Sequence, residues 1–421
     1  MKKHTYRAVK VKSVEISRLE ADVRGKELII GIDIGKHLNF ASLVTREGNS
    51  LMTVKWEQPS QTREFVRLIK SLPASSCAAV MEPSGSYGDA LRSLLWKDDI
   101  KVYRVSPKRS HDAAEVYDGV PSLHDAKSAA IIAKLHIDGA SVLWPMKAAQ
   151  ERDIRAAIDT MDMFSLQHLQ NLNRLEASLA RFWPEVLDAM ELKSVTLAAL
   201  LAEFGSPSEV VRREEDARAL IQKSGRYLLS AQKIDMIIDI AKKTTGVEMT
   251  SGEEAAIRTL AEEIIRARSS YKQAKRKVER LSKKNASVDG MSCTVGVATA
   301  AVIFSEVGDP LKYSCAKEYE KSAGLNLKEK SSGKHKGRLK ITKRGSGKAR
   351  RWLYLAVLRL IQSDPCFKAW YLRKVKRNGG LKMPAIIALM RKLIRALWHV
   401  ARGENFDSTK LFDVKRLKLA V

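Results

Sequence analysis

Nine residues, 27-ELIIGIDIG-35, limit what this chain can become more than any other stretch. An apolar run of this length reads as a buried strand, and such a strand needs partners and cover. The sequence around it supplies both. Runs 39-NFASLVT-45 and 51-LMTVKWE-57 flank the turn 46-REGN-49 as a hairpin. A helical pattern over 60–72 follows, then strand 77-CAAVMEP-83, helix 86–97, strand 101-KVYRVSP-107 and helix 123–137. Three strands in meander followed by strand–helix alternation predict an α/β domain over 27–145, a mixed sheet with helices on its faces. Residues 1–26, rich in cations, precede it as a basic N-terminal extension.

Residues 146–285 carry almost no strand pattern. Ile154, Ile158, Met161, Ser165, His168, Leu172, Leu175, Leu179 and Phe182 step by fours and threes. Ile257, Leu260, Ile264, Ala267, Tyr271, Ala274, Val278 and Leu281 do the same. This spacing predicts a long helical coiled-coil arm, antiparallel, with a mostly helical insertion over 190–250. Residues 286–421 read as a mostly helical, basic C-terminal domain.

Charge sets the partner class. The net is +27, and residues 301–421 alone hold 29 Lys and Arg against 9 Asp and Glu. A block that basic on a chain with 45% hydrophobic residues points to DNA or RNA. No apolar run is long enough to span a bilayer, and no secretory signal precedes the first domain. Cys77, Cys293, Cys315 and Cys366 lie far apart, as thiols in a reducing cytoplasm. The expected location is the cytoplasm, with no membrane partner.

Two constellations carry chemistry. Asp33 interrupts an apolar strand, where a carboxylate is costly unless paired or bound to a cation. Glu82 ends another strand and Asp125 opens a helix. If the first and fourth strands are neighbours, these acids converge, and oxygen donors of that kind suit Mg²⁺ or Mn²⁺. The second is 328-KEKSSGKHKGRLKITKRG-345, where Ser332 sits among cations. On the residues alone this reads as a phosphate-contacting loop, with Lys334, Lys336, Arg338, Lys340, Lys343 and Arg344, then Lys348, Arg350 and Arg351, as nucleic-acid contacts. Trp352 and Tyr354 fall on an apolar helical pattern and read as core.

The ordering resembles a known family. Elements 31-GIDIGK-36, 81-MEPSGSY-87 and 124-HDAKSA-129 resemble the ribonuclease-H-like (RuvC-like) nuclease domain of DEDD-type insertion-sequence transposases, the IS-one-ten/IS-eleven-eleven family. Elements 306-EVGDP-310, 323-AGLNLKEKSSG-333, 341-ITKRGSGKARRWLYLAVLR-359 and 389-LMRKLIRAL-397 resemble its transposase domain. The resemblance implies an RNA-guided DNA recombinase. A structured bridge RNA would pair with donor and target double-stranded DNA, and a tetramer (a dimer of dimers) would build composite sites from different subunits. It implies that Ser332 is the nucleophile, becoming joined to DNA, with Asp33, Glu82 and Asp125 as Mg²⁺ ligands. The fourth acid is missing: Ser128 stands at its place. Thr294 likewise replaces the first glycine of the family's turn near 291–301. Two alternatives stay open, a hydrolytic nuclease like a Holliday-junction resolvase and a catalytically impaired nucleic-acid-binding relative.

Overall fold

The strand read at 27–35 lies at the centre of a seven-stranded sheet. Its strands are β1 (Ala8–Lys10), β2 (Glu27–Asp33), β3 (Leu38–Thr45), β4 (Ser50–Glu57), β5 (Ser76–Met81), β6 (Lys101–Arg104) and β7 (Val142–Leu143), in the order β1-β4-β3-β2-β5-β6-β7. Strand β2 pairs antiparallel with β3 and parallel with β5, so the strands bearing Asp33 and Glu82 are neighbours as expected. The structure, a computed structural model, describes residues 6–83, 85–329, 337 and 339–413. Ser332, Lys334, Lys336 and Arg338 lie outside the described residues.

Two compact units divide the chain, 1–147 and 148–421. In the first, helices α1 (Ile16–Val23), α2 (Thr62–Ser71) and α3 (Asp89–Lys97) cover one face of the sheet. Helices α4 (Pro107–Asp112) and α5 (Asp125–Ile137) cover the other. The period of two along β2 sorts its side chains. Leu28, Ile30 and Ile32 enter the first core, while Ile29 enters the core beneath α5. The segment 1–26 departs from its reading as an extension. It supplies edge strand β1, parallel to β4, and α1 buries Leu19 and Val23 in the main core. A three-residue edge strand among cations carries no alternation to read.

The second unit is built on two long helices, α6 (Ala149–Phe182) and α12 (Ser251–Ser282). They run antiparallel, because the start of α6 (Ile154, Ile158, Met161) shares a core with the end of α12 (Ala274, Val278). Their opposite ends, including Leu175 and Ile264, share a second core with α7 (Val186–Ala189), α8 (Val195–Phe204), α9 (Pro207–Arg212), α10 (Glu214–Ser224) and α11 (Ala231–Lys242). Every apolar position predicted for the α6 seam is buried, while Ser165 and His168 are only half-buried. Thr250 and Glu253 form a capping box that starts α12.

No core boundary falls near 285. The base of the arm continues into α13 (Ala286–Val295), α14 (Val297–Val307), α15 (Ala316–Ser322), α16 (Gly347–Ser363), α17 (Pro365–Arg377) and α18 (Lys382–Val400). Between α15 and α16 lies a hairpin of β8 (Leu327–Lys328) and β9 (Lys340–Ile341). Trp352 and Tyr354 pack against this core, as read from the sequence. All four cysteines are free, and no described helix is long and apolar enough to cross a membrane.

Candidate active site

The acids gather at the carboxyl end of β2. Asp33 follows Gly31 by two residues and so points to the face that α5 covers. Gly31 is required there: a Cβ would lie 2.2 Å from the Ala129 carbonyl oxygen and 2.5 Å from the Ala133 nitrogen. The helix therefore crosses β2 at backbone contact, bringing its first turn, with Asp125 and Ser128, over the strand end. Ile32 pairs with Met81, so Glu82 emerges beside Asp33. Burial, then the charge of Asp125, then that of Glu82 push the Asp33 carboxyl up from 3.8 to about 6. The Ile34 backbone and the Ser128 hydroxyl oppose this by hydrogen bonding to it.

The surrounding loops are tied down. Buried Asn39 accepts from the Gly35 N–H (2.9 Å) and donates to Gln58 Oε1 (2.8 Å), whose amide donates to the Tyr87 carbonyl (2.9 Å). The loops after β2 and β5 are thus joined through two amides. On the other side, His124 caps α5 by accepting from the Lys127 N–H. The Lys127 ammonium, with its side chain 2% exposed, donates to Asp118 (2.9 Å) and to the Val120 carbonyl (2.6 Å). Tyr6 donates to the other Asp118 oxygen (3.1 Å). The sequence reading passed over Lys127, Asn39 and Gln58. Only the placement of a lysine inside an apolar helix face signalled the first.

In the second unit the hairpin leading to Ser332 has a fixed base. Thr342 donates through its N–H to Asn326 O (2.9 Å) and through its hydroxyl to Asn326 Oδ1 (2.5 Å). The Lys343 N–H donates to the Gly324 carbonyl (3.0 Å). Gly324, at φ +71°, sits against the Arg344 backbone, where a Cβ would approach to 2.9 Å. Ser346 caps α16 and donates to Glu306 (2.6 Å).

The predicted phosphate contacts divide. Lys340, Lys343, Arg344 and Arg351 are exposed. Arg350 is half-buried and donates to the Gly345 and Ala323 carbonyls. Lys348 departs from the expectation of a free phosphate contact. Its ammonium lies 2.6 Å from Asp162, 2.9 Å from Asp159 and 3.5 Å from Glu306. Arg155 closes the network on Glu306 (2.7 Å) and Asp159 (3.0 Å). The cations of 389-LMRKLIRAL-397 are also committed. Arg391 (2.6 Å) and Arg395 grip Glu320, a carboxylate 2% exposed.

Comparison with known proteins agrees with this arrangement at both ends of the chain. A DEDD-type transposase model matches residues 30–184, which includes all three acids. The model described as "Transposase IS116/IS110/IS902 family" matches residues 293–372, which includes the serine hairpin. The chain belongs to the IS110/IS116/IS902 transposase family. Its similarity to relatives runs nearly end to end. It is 24% identical to the 43.6 kDa protein of insertion element IS110 from Streptomyces coelicolor, over 93% of this chain and 98% of the relative. It is 23% identical to the 42 kDa protein of insertion element IS900 from Mycobacterium paratuberculosis, over 88% and 95%. The protein is therefore a transposase acting in DNA transposition.

A DEDD transposase domain implies a divalent cation, and this transposase has donors that fit one. The set is all oxygen, three carboxylates and a hydroxyl, as a hard cation prefers. Burial first, and then the charges of Asp125 and Glu82, hold the Asp33 carboxyl at about 6. Among the described residues no three acids, His or Cys are drawn into a closed ligating group. Helices α13 and α14 join at Gly296, so the stretch bearing Thr294 is a helix–turn–helix pair.

Proposed function

We propose that this transposase cuts and rejoins donor and target DNA through a covalent phosphoserine linkage on Ser332, assisted by Asp33, Glu82 and Asp125. The observation that carries the acidic half is Asp33, held at about 6 by its burial and two neighbouring carboxylates. Charge accumulated without a counter-ion in the protein marks a place for an external cation. Mg²⁺ or Mn²⁺ held by these three acids would supply Lewis-acid stabilisation of a phosphoryl oxygen. The chain's own residues do the rest. The Ser332 Oγ–P bond forms as the bond from phosphorus to a deoxyribose oxygen breaks. The hydroxyl proton is lost to solvent, and the departing oxygen takes a proton up. Rejoining reverses the step with a deoxyribose hydroxyl as attacker. Lys340, Lys343, Arg344 and Arg351 hold phosphates by charge, together with Lys334, Lys336 and Arg338 of the hairpin loop.

The family resemblance and the +27 net charge support a structured bridge RNA that selects both DNAs, and a tetrameric assembly in a bacterial cell. End-labelled DNA incubated with Mg²⁺ and RNA from the element's flanking region tests the chemistry. Wild type should give a protein–DNA adduct on a denaturing gel, and Ser332→Ala should give none while still binding DNA. Cleavage that persists in Ser332→Ala would make the enzyme a hydrolytic nuclease. Ser128 favours a second reading, a compromised acidic site. Restoring Asp at 128 separates the two: a large gain in cleavage supports impairment, and no change means three acids suffice.

A further inference from the structure

An open groove of about 870 Å³ lies between the β8–β9 hairpin, the end of α17 and the start of α18. Its floor is apolar and wet: Leu339 and Ile341 from the hairpin, with Leu381 (62% exposed) and Met383 (52% exposed) opposite. Its rim is cationic: Lys328, Lys340, Lys343 and Lys374 line it with Arg391, and among the described lining residues there is no carboxylate. None of these four lysines forms an ion pair with a described residue, unlike Lys348 nearby in sequence. The Asn378 amide also lines the groove and makes no side-chain hydrogen bond to a described residue. We propose that this groove holds a single unpaired deoxynucleotide, its base on the Leu381–Met383 floor and its phosphates on the lysine rim.

The reasoning is from complementarity. A cationic rim without acids selects a polyanion. A duplex offers only phosphates and base edges to such a surface, because its base faces are stacked on one another. An apolar floor gains free energy only from an exposed base face, in the way that leucine and methionine side chains serve as wedges between bases. The volume falls in the range of small-ligand sites and suits one nucleotide better than a helix. Asn378 adds a donor and an acceptor for a base edge. The choice of DNA rests on the proposal that Ser332 joins to DNA. The groove walls are the strands that bear the serine loop, and a strand exchanged there must leave its complement.

Fluorescence anisotropy with the full-length protein tests this, using one short sequence as single-stranded DNA, duplex DNA and single-stranded RNA. The variant is Leu381→Gln with Met383→Gln, neutral changes at exposed positions. Single-stranded DNA should bind about tenfold more weakly, as for loss of one base platform. Duplex DNA should change less than about twofold, and the salt slope should not change, because no cation is removed. The apolar pair Leu381→Met with Met383→Leu should retain wild-type affinity. Equal weakening of duplex and single strand, or no weakening, would overturn the proposal. Weakening confined to RNA would assign the groove to the RNA and overturn the DNA assignment. Ser332→Ala should keep single-strand affinity, so failure of the nucleophile assignment is read separately, on the adduct gel.

Discussion

Glu320 of the second unit and Asp33 of the first keep their negative charge in opposite ways. In the second, Glu320 is held by Arg391 and Arg395, and Glu306 by Arg155, Ser346 and Lys348. In the first, Asp33 has two acids and a hydroxyl around it and, among the described residues, no cation in ion-pair contact. A carboxylate whose charge is balanced inside the protein has a structural task. One left among like charges holds its proton to higher pH and can have its balance supplied from outside. Four variants break or sharpen this contrast.

The largest effect is expected from Arg391→Met combined with Arg395→Met. Glu320 then remains buried without a partner, and urea unfolding should show a loss of about 3–5 kcal/mol. A loss below about 1 kcal/mol would mean that the pairs are incidental.

Asp33→Asn should move stability the other way. A carboxyl raised in the fold costs nothing below pH 3.8, where it is protonated folded and unfolded, and its cost grows as pH rises through about 6. At pH 8 in chelator the variant should be about 2 kcal/mol more stable, since partial exposure screens the repulsion, with the gain vanishing near pH 4. Cleavage by the wild type should fall as pH drops below about 6 for the same reason. A variant no more stable than wild type at pH 8 would remove the argument for stored repulsion.

Lys348→Met uncovers Asp159, Asp162 and Glu306 together. Two of the three are partly solvated, so a cost of about 2 kcal/mol is expected in the same unfolding assay. DNA affinity should change little, in contrast to loss of Lys343 or Arg344. The smallest effect belongs to Ser128→Ala, which removes one donor to the Asp33 carboxylate. It should raise the Asp33 titration midpoint, read by carboxyl NMR, and cost about 1 kcal/mol at pH 8.

The sequence was most informative where burial forces a pattern. The strand at 27–33, its hairpin partner and the two long helices α6 and α12 were legible because period and polarity leave no other cover. Asp33 was legible for the same reason, as an acid in an apolar strand. Strand β1 was not, being three residues long and paired with β4 more than forty residues away. Lys348 looked like a phosphate contact because its partner Asp159 is 189 residues distant. Composition reports the cations but not which of them are already engaged. Ser128 was read as a missing acid, and its hydroxyl turns out to reach the acid that remains.

Gly31 gives the acidic cluster its spacing through an atom it lacks. Any side chain there must lift α5 from the sheet, since the Ala129 carbonyl already occupies the place of a Cβ. Gly31→Ala would act as a spacer between Asp125 and Asp33 while touching neither. Repulsion between them would relax and the Asp33 midpoint would slide back toward 3.8. The spacing of the acids is thus set by the thickness of one methyl group, at a position without any chemistry of its own.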